Sequence, residues 1–184
     1  MEKITTERLT IRRVRPTDLQ DFMAYQGHPV NALYQAVKPM SEEAAKRFLS
    51  EMAAIDFRKA DGWIMFAVEL SCEQRMIGEV GIFISPAPQS KGDLGWSFHP
   101  DYHQQGYATE AATVLIDYAF RERRLHRLTA TCEVHNTASI RLMERLGMRR
   151  ESHYRKSHFA NGAWQDEYLY ALLRDERLTT WPHG

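Results

Sequence analysis

Two carboxylates stand in runs that are otherwise strand-like, and each could accept a proton during catalysis. Glu79 lies within the run 77–82 and alternates to the same side as Ile77 and Phe83. Glu133 lies near the end of a later strand-like run. A carboxylate withdrawn from water has its pKa raised toward neutrality, where it can serve as a general base. A cross-strand salt bridge would explain either residue equally well.

A polar turn joins a strand to a helix over residues 96–110, with the sequence W-S-F-H-P-D-Y-H-Q-Q-G-Y-A-T-E. The first turn of such a helix presents backbone N–H groups at the positive end of the helix dipole, and this arrangement binds phosphate. Gly106, just before the helix, would let a ligand approach without a Cβ in the way. The alternative is that Gly106 only serves a tight turn.

Ser139 lies in the predicted helix 136–146, on a face that is otherwise apolar because Leu142, Met143 and Leu146 share it. A hydroxyl in that position needs a hydrogen-bond partner, and the simplest one is the preceding turn of its own helix. Asn136 is of the type that caps a helix, and capping is compatible with a contact to a ligand.

The elements that must position these residues follow from hydrophobic periodicity and from the placement of Pro and Gly. Helices are predicted to begin near 16, 41 and 107 and to cover 136–146, and strands are predicted over 9–14, 63–70, 76–84, 93–98, 125–134, about 149–158 and 165–173. The layout is mixed α/β, with about seven strands and four helices in a single domain over 1–184. The helix after the fourth strand is predicted to cross over between parallel neighbours.

Composition narrows the classes of function. The 184 residues include 24 Lys plus Arg and 24 Asp plus Glu, so no field of the whole molecule would attract nucleic acid or an anionic membrane, and we expect neither partner. The two cysteines, Cys72 and Cys132, are too few for a disulfide scaffold and indicate a cytoplasmic setting. None of the eight histidines forms a metal-binding pair on one helix, so we expect no metal.

Two blocks of sequence, taken together, resemble the GCN5-related N-acetyltransferases. The run 103–108, H-Q-Q-G-Y-A, is similar to the family's pyrophosphate loop Q/R-x-x-G-x-G/A, with His103 in place of Gln or Arg. The run 136–148, N-T-A-S-I-R-L-M-E-R-L-G-M, is similar to the fourth-helix signature N-x-x-S-x-x-x-x-x-x-x-G-F/M. The openings T-E-R-L-T-I-R over 6–12 and G-Y-A-T-E-A over 106–111 resemble the branch that includes the ribosomal-protein N-terminal acetyltransferases.

The resemblance implies one acetyltransferase domain with a central mixed, mostly antiparallel sheet and with acetyl-CoA as cosubstrate. The main chain around Ser97 and Phe98 would pair with the pantetheine arm and offer an N–H to the thioester carbonyl. Asn136 and Ser139 would add contacts to the cofactor. The pyrophosphate would lie on the loop residues His103, Gln104, Gln105, Gly106, Tyr107, Ala108 and Thr109. Because the amine attacks the thioester directly, the family needs neither an enzyme nucleophile nor a metal.

The resemblance also implies which groups move protons. Many family members carry a tyrosine seven residues after the asparagine of this helix, where this chain has Met143, so Ser139 is the nearest substitute as the acid. A protonated amine has a pKa of about 10 and must lose a proton before it attacks. Glu79 and Glu133 are the candidate bases, and a base acting through water is the remaining option.

The acceptor implied by the resemblance is a primary amine, either the N-terminus of a protein or a small molecule. Acceptor choice would come from 27–40 and from the turn near 160–164, with Tyr34, Tyr102 and Trp164 as candidate aromatic walls. A non-catalytic acetyl-CoA-binding regulatory module with the same fold is the alternative, motivated by His103 and Met143. A homodimer could form through an edge strand at 167–173.

Overall fold

A computed structural model describes residues 3–32, 40–57, 61–86 and 88–180 of the chain. Two short 3-10 turns, Pro16–Asp18 and Pro100–Tyr102, lie before α1 and α4 respectively. In chain order the strands and helices are β1 Lys3–Thr5, β2 Leu9–Arg13, α1 Leu19–Gln26, α2 Pro29–Ala32, α3 Glu42–Ala54, β3 Gly62–Leu70, β4 Arg75–Ile84, β5 Lys91–Phe98, α4 Tyr107–Arg121, β6 Arg127–Glu133, α5 Thr137–Arg145, β7 Arg149–Ala160, β8 Ala163–Leu173 and α6 Arg174–Thr180.

The strands form one sheet in the order β1-β2-β3-β4-β5-β6-β8-β7. Neighbouring strands are antiparallel except β5 and β6, which are parallel and are connected by α4. The predicted mixed, mostly antiparallel sheet and its crossover helix are therefore confirmed. The sheet has eight strands rather than about seven because the three-residue strand β1, too short to show alternation, pairs with β2.

Helices cover both faces of the sheet. On one face, α1 and α3 pack Phe22, Tyr25 and Leu49 against Met65 of β3. On the other face, α4 and α5 cover the larger apolar cluster, to which β3 contributes Phe66. Because β3 is buried on both faces, it is a nearly continuous apolar run, as the strand-like segment 63–70 indicated.

A β-bulge in β4 changes the face on which Glu79 was predicted to lie. Val68 pairs with Gly78 and Glu69 pairs with Met76, so Ile77 is the extra residue on β4. Ile77 packs into the α4 side of the core, whereas Glu79 faces α1. The prediction that Glu79 shares a side with Ile77 is wrong, because simple alternation does not hold across a bulge.

The C-terminal edge of the described sheet is β7. The sequence predicted an edge strand at 167–173, but β8, which contains these residues, lies between β6 and β7 and pairs with both. This prediction is wrong because strand order depends on how the hairpin docks, which local periodicity does not encode.

Two short helices, α2 and α6, were not predicted. Helix α2 has four residues, and α6 follows directly on the end of β8, so neither has the flanking signals that mark a longer helix. Among the described helices, none combines the length and apolarity needed to cross a bilayer.

Candidate functional site

The sheet opens between the two parallel strands. The β5–β6 ladder consists of three residue pairs, the last of which is Asp93 with Thr129. Beyond that pair, β5 continues to Phe98 beside β4, and β6 continues to Glu133 beside β8. Within the described sheet, the ladder does not join residues 94–98 to 130–133. The two halves of the sheet therefore leave an opening at the C-terminal ends of β5 and β6.

Helix α4 begins next to this opening. It follows the end of β5 after a turn of eight residues. Its N-cap is Gly106, with φ of +84°, and no side chain of the described residues caps the helix. The preceding Gln104 also has a positive φ, of +59°. A left-handed N-cap without a side chain leaves the amide groups of the first turn pointing outward, as an anion site requires.

His103, which differs from the usual loop residue, is part of the turn itself. Its Nε2 donates a hydrogen bond to the carbonyl of Phe98 at 3.0 Å. The same carbonyl accepts a hydrogen bond from Asn31 Nδ2, also at 3.0 Å. His103 therefore closes the turn between β5 and α4, and its ring is directed toward β5.

The N-terminal segment holds the first turn of α4 in place. Arg8 contacts Glu110 through Nε at 2.8 Å and Nη2 at 2.7 Å, and its guanidinium lies 4.5 Å from the ring centroid of Tyr107. Arg8 Nη1 also donates to the carbonyl of Gln105 at 2.9 Å, and the Thr6 hydroxyl donates to Glu110 at 2.5 Å. Burial opposes ionisation of Glu110, but these hydrogen bonds outweigh it and lower the pKa of the carboxyl. This network gives a structural role to the sequence T-E-R at residues 6–8.

Sequence reasoning missed a second arginine near the start of α4. Arg145, at the end of α5, donates from Nε to Thr109 Oγ1 at 3.2 Å. Arg121 and Arg124 lie at the other end of the helix, beside Arg174. Because α4 has 15 residues, its two ends are about 22 Å apart. No sequence signal places Arg145 here, since the contact depends on how α5 packs against α4.

With the pyrophosphate on the loop that the resemblance implies, Arg145→Ala is expected to weaken acetyl-CoA binding about tenfold, because a guanidinium at the start of α4 would give a phosphate a charge-assisted hydrogen bond. Titration calorimetry measures the change. The matched control is Arg121→Ala, which removes the same charge at the far end of α4 and should leave the affinity unchanged. Equal effects of the two substitutions would contradict the placement of the phosphates.

Glu79 is half-buried beside α1, where the Tyr25 hydroxyl donates to its Oε2 at 2.6 Å. Burial raises the pKa of Glu79 to about 7, and the hydrogen bond from Tyr25 partly opposes this rise. Its cross-strand neighbours are Ala67 and Ser97, neither of which is a cation. The cross-strand salt bridge considered from the sequence is therefore wrong for Glu79.

Glu133 ends β6 on the other side of the opening. Its cross-strand neighbour on β8 is Glu167, which is also a carboxylate, so a salt bridge to that neighbour is excluded. Ser97 and Glu133 each lie four residues beyond the last β5–β6 pair, Asp93 with Thr129. Alternation puts both on one face of the sheet, and Glu79 is directly opposite Ser97. The opening therefore has Glu79 and Ser97 on one side and Glu133 on the other.

Ser139 lies on the opposite face of the sheet. Its Oγ accepts a hydrogen bond from Trp96 Nε1 at 3.2 Å, so the hydroxyl contacts β5 rather than the preceding turn of its own helix. Asn136 Oδ1 accepts from the Ser139 amide at 3.0 Å, which confirms the predicted helix cap. Met143, where a tyrosine stands in many family members, is fully buried in the core.

Helices α1 and α2 border the opening on the face that carries Glu79 and Ser97. Asn31 Nδ2, which bonds the Phe98 carbonyl, also donates to the Tyr25 carbonyl at 2.9 Å, a connection that the sequence did not indicate. The Tyr102 hydroxyl donates to Glu73 at 2.9 Å. Trp164 lies at the tip of the β7–β8 hairpin, 60% exposed. Tyr34 lies outside the described residues.

Within the described part of the chain, no group of three or more His, Cys, Asp or Glu side chains is arranged to share a metal ion. The polar groups at the opening are instead the loop amides, a hydroxyl and two carboxylates. Amide groups at the start of a helix suit the binding of a phosphate, and the two carboxylates could accept protons.

Comparison with protein families finds a match to the acetyltransferase (GNAT) domain over residues 8–149. The matched span contains β2 to β6, the loop before α4 and all of α5. The span includes the candidate proton-transfer residues Glu79, Glu133 and Ser139.

Full-length relatives agree with this match. The uncharacterized N-acetyltransferase YnaD of Bacillus subtilis is 36% identical over 173 residues, covering 94% of this chain and 98% of the relative. The [ribosomal protein uS5]-alanine N-acetyltransferase of Escherichia coli is 28% identical over 176 residues, covering 92% and 90%. The crystal structure of a GNAT-family acetyltransferase from Bacillus anthracis, 33% identical, superposes with a TM-score of 0.84 and covers 95% of this chain and 99% of its own.

Proposed function

The chain belongs to the acetyltransferase (GNAT) family, and we propose that it moves the acetyl group of acetyl-CoA to a primary amine by direct attack in a ternary complex. The acceptor is a protein N-terminus or a small-molecule amine. The observation that carries the proposal is the opening between β5 and β6, which leads directly to the glycine-capped start of α4. The named relatives are N-acetyltransferases, which favours an enzyme over a non-catalytic module.

The cofactor fits this opening in two parts. The amides from Gln104 to Thr109 would hold the pyrophosphate, with Arg145 as a further cation. The pantetheine arm would extend along β5 where the ladder to β6 has ended. The Phe98 carbonyl already accepts two hydrogen bonds. The thioester oxygen is also an acceptor and needs a donor, so we assign it to an N–H near Ser97 and Phe98.

Glu79 is our choice for the base. Its pKa of about 7 lets it be ionised at neutral pH and still bind a proton effectively. It lies across from Ser97 on the face that α1 and α2 border, so an amine arriving from that side would lose its proton to Glu79 through a water molecule. Glu133, on the same face beyond the opening, is the alternative, and Glu133→Gln tests it.

Ser139 is our choice for the acid. Its oxygen accepts from Trp96, and no described residue is an acceptor for its proton, which is therefore available to the departing thiolate. Glu79 and Ser139 lie on opposite faces of the sheet, with the opening between them. In the reaction the C–N bond forms and the C–S bond breaks. The ammonium group loses one proton to Glu79 before it attacks, and Glu79 later releases this proton to solvent. As the C–S bond breaks, the hydroxyl proton of Ser139 passes to sulfur, and the second proton lost by the nitrogen returns to the Ser139 oxygen through water.

The test of the proposed function begins with calorimetric titration of acetyl-CoA, with ATP and NAD as controls for generic phosphate binding. Selective micromolar binding is expected. The second step measures CoA release with a thiol reagent across a panel of amines and peptides with free N-termini. Binding without turnover on a wide panel would favour the non-catalytic module, and no binding by the folded protein would overturn the proposal.

Ser139→Ala is expected to lower kcat about tenfold and to change the Kd for acetyl-CoA less than twofold, because the hydroxyl acts on the leaving group. Steady-state kinetics and calorimetry measure the two effects. Ser50→Ala is the matched control, since the Ser50 hydroxyl donates to the Lys46 carbonyl of its own helix, away from the opening. If kcat is retained in Ser139→Ala, the hydroxyl has only a structural role.

Both cysteines are free thiols, and Cys72 is exposed. Burial raises the pKa of Cys132 to about 11, so this thiol is protonated at neutral pH and takes no part in the proposed reaction. We place the reaction in the cytoplasm, where an exposed thiol stays reduced. A homodimer remains a prediction, and β7 now replaces 167–173 as the edge strand that could form it.

A further inference from the structure

Tyr25 of α1 brings a hydroxyl into the core layer that contains Phe22, Leu49 and Met65. Its side chain is fully buried, and its ring packs edge-on against Phe22 with the centroids 5.6 Å apart. The hydroxyl donates to Glu79 at 2.6 Å, a short distance typical of a charge-assisted hydrogen bond. Among the described residues, Tyr25 is the one hydrogen-bond partner of the Glu79 carboxylate.

The main chain of Tyr25 is tied to the same site. Its carbonyl accepts from Asn31 Nδ2 at 2.9 Å, and Asn31 also donates to the Phe98 carbonyl at 3.0 Å. Tyr25 thus connects β4 through its hydroxyl and the end of β5 through its carbonyl. Asn31 Nδ2 also lies 3.4 Å from Ser97 Oγ, so the two connections reach both members of the pair Glu79 and Ser97.

We propose that Tyr25 is a positioning residue, which holds the Glu79 carboxylate opposite Ser97 so that it can take the proton of the acceptor amine. The inference rests on the proposed function and adds a residue to it. Aromatic packing alone would be satisfied by phenylalanine at this position. The hydroxyl is therefore the part of Tyr25 that the proposal concerns.

The charged groups around this pair do not replace Tyr25. On the segment leading into α1, Asp18 binds Arg12 at 2.8 Å. On α1 itself, Asp21 binds Arg75 at 3.0 Å. From the strands, Ala67 and Ser97 flank Glu79 and carry no charge. The two nearby carboxylates are thus already paired with arginines, and the Tyr25 hydroxyl supplies the hydrogen bond to Glu79.

The test is Tyr25→Phe, which keeps the ring and removes the hydroxyl. Loss of a charge-assisted donor should raise the pKa of Glu79 by about one unit. The acid limb of the pH profile of kcat/KM, measured with an amine accepted by the enzyme, should move to higher pH by the same amount. NMR titration of 13C-labelled glutamate carboxyls measures the shift without reference to activity.

The matched control is Tyr170→Phe, because the Tyr170 hydroxyl bonds another carboxylate, Glu144, at 3.3 Å. It should leave the Glu79 titration and the acid limb in place. A second variant with 3-fluorotyrosine at position 25 keeps the fold and makes the phenol a stronger donor. It should move the limb to lower pH, which keeps the proposal testable if Tyr25→Phe does not fold.

The outcomes distinguish the positioning role of Tyr25 from the role of Glu79 as the base. A shift in Tyr25→Phe, absent in Tyr170→Phe, supports the positioning role. The positioning role is overturned if both variants at position 25 leave the Glu79 titration and the acid limb of kcat/KM unchanged. Loss of activity in Glu79→Gln would then still support Glu79 as the base. An acid limb that persists in Glu79→Gln overturns the base assignment and the role of Tyr25 with it.

Discussion

Replacement of Gly106 by tryptophan is expected to raise the Kd for acetyl-CoA at least about a hundredfold, equivalent to about 2.7 kcal/mol of binding free energy. Gly106 is the N-cap of α4, and a large side chain there would occupy the space in front of the amides that we assign to the pyrophosphate. A Cβ at this position would lie 3.2 Å from Arg8 Nη2, the end of a flexible side chain. The fold should therefore accommodate the substitution.

The stability cost of Gly106→Trp should be about 1–2 kcal/mol, because an L residue is strained at a φ of +84°. Gly162→Trp is the matched control. Gly162 has a φ of +80°, and a Cβ added there would meet no described atom within 4 Å, so this variant has a similar backbone cost at the hairpin tip. Thermal unfolding compares the two variants and calorimetry measures acetyl-CoA binding. Wild-type affinity in Gly106→Trp would refute the assignment of the loop.

Glu79→Gln is expected to lower kcat by about 10²–10⁴, the usual contribution of a general base, with acetyl-CoA affinity unchanged. Glutamine keeps the size of the side chain and can still accept from Tyr25, so the loss would reflect proton transfer. With Glu79 as the proposed base, the active form of the wild-type enzyme would be the carboxylate, so kcat/KM should fall about tenfold per pH unit below pH 7. Steady-state kinetics at pH 6–9 test both effects, and retained turnover in Glu79→Gln would exclude Glu79 as the base.

The same substitution should stabilise the protein at alkaline pH. The pKa of Glu79 is about 7 in the folded chain against an ordinary value of 4.5, so the folded state binds this proton more tightly. The contribution of Glu79 to the free energy of unfolding is therefore greatest below about pH 4.5, falls as the pH rises to about 7 and is constant above that. Glu79→Gln removes this loss. The substitution should therefore increase the free energy of unfolding by about 1–3 kcal/mol at pH 8 and change it little at pH 4.5.

Chemical denaturation at pH 8 and pH 4.5 measures this gain. Glu144→Gln is the matched control, because Glu144 also accepts a hydrogen bond from a tyrosine but lies on the exposed side of α5. Glu144→Gln should leave the activity unchanged. It should also leave unchanged the difference in the free energy of unfolding between pH 8 and pH 4.5. A Glu79→Gln variant that is inactive and less stable at pH 8 would indicate damage to the fold rather than loss of a base.

Local patterns in the sequence were sufficient for most of the elements. Alternation and helical periodicity predicted the strands and the longer helices, and the signals at Ser41 and Asn136 marked true helix caps. The turn before α4 was also predicted, because a glycine in that place has a local conformational reason. These features depend on interactions between residues a few positions apart, so a single sequence carries them.

Contacts between distant segments were decided only by the tertiary structure. The bulge at Ile77 turned Glu79 toward α1, and the hydrogen bond to Tyr25 joins residues 54 positions apart. Arg145 reached the start of α4 through helix packing, and β8 took an interior place in the sheet. Each depends on how whole elements dock, which is determined by burial of apolar surface over the entire domain. The sequence thus determined which residues could do the chemistry, and the packing of the sheet decided which of them meet.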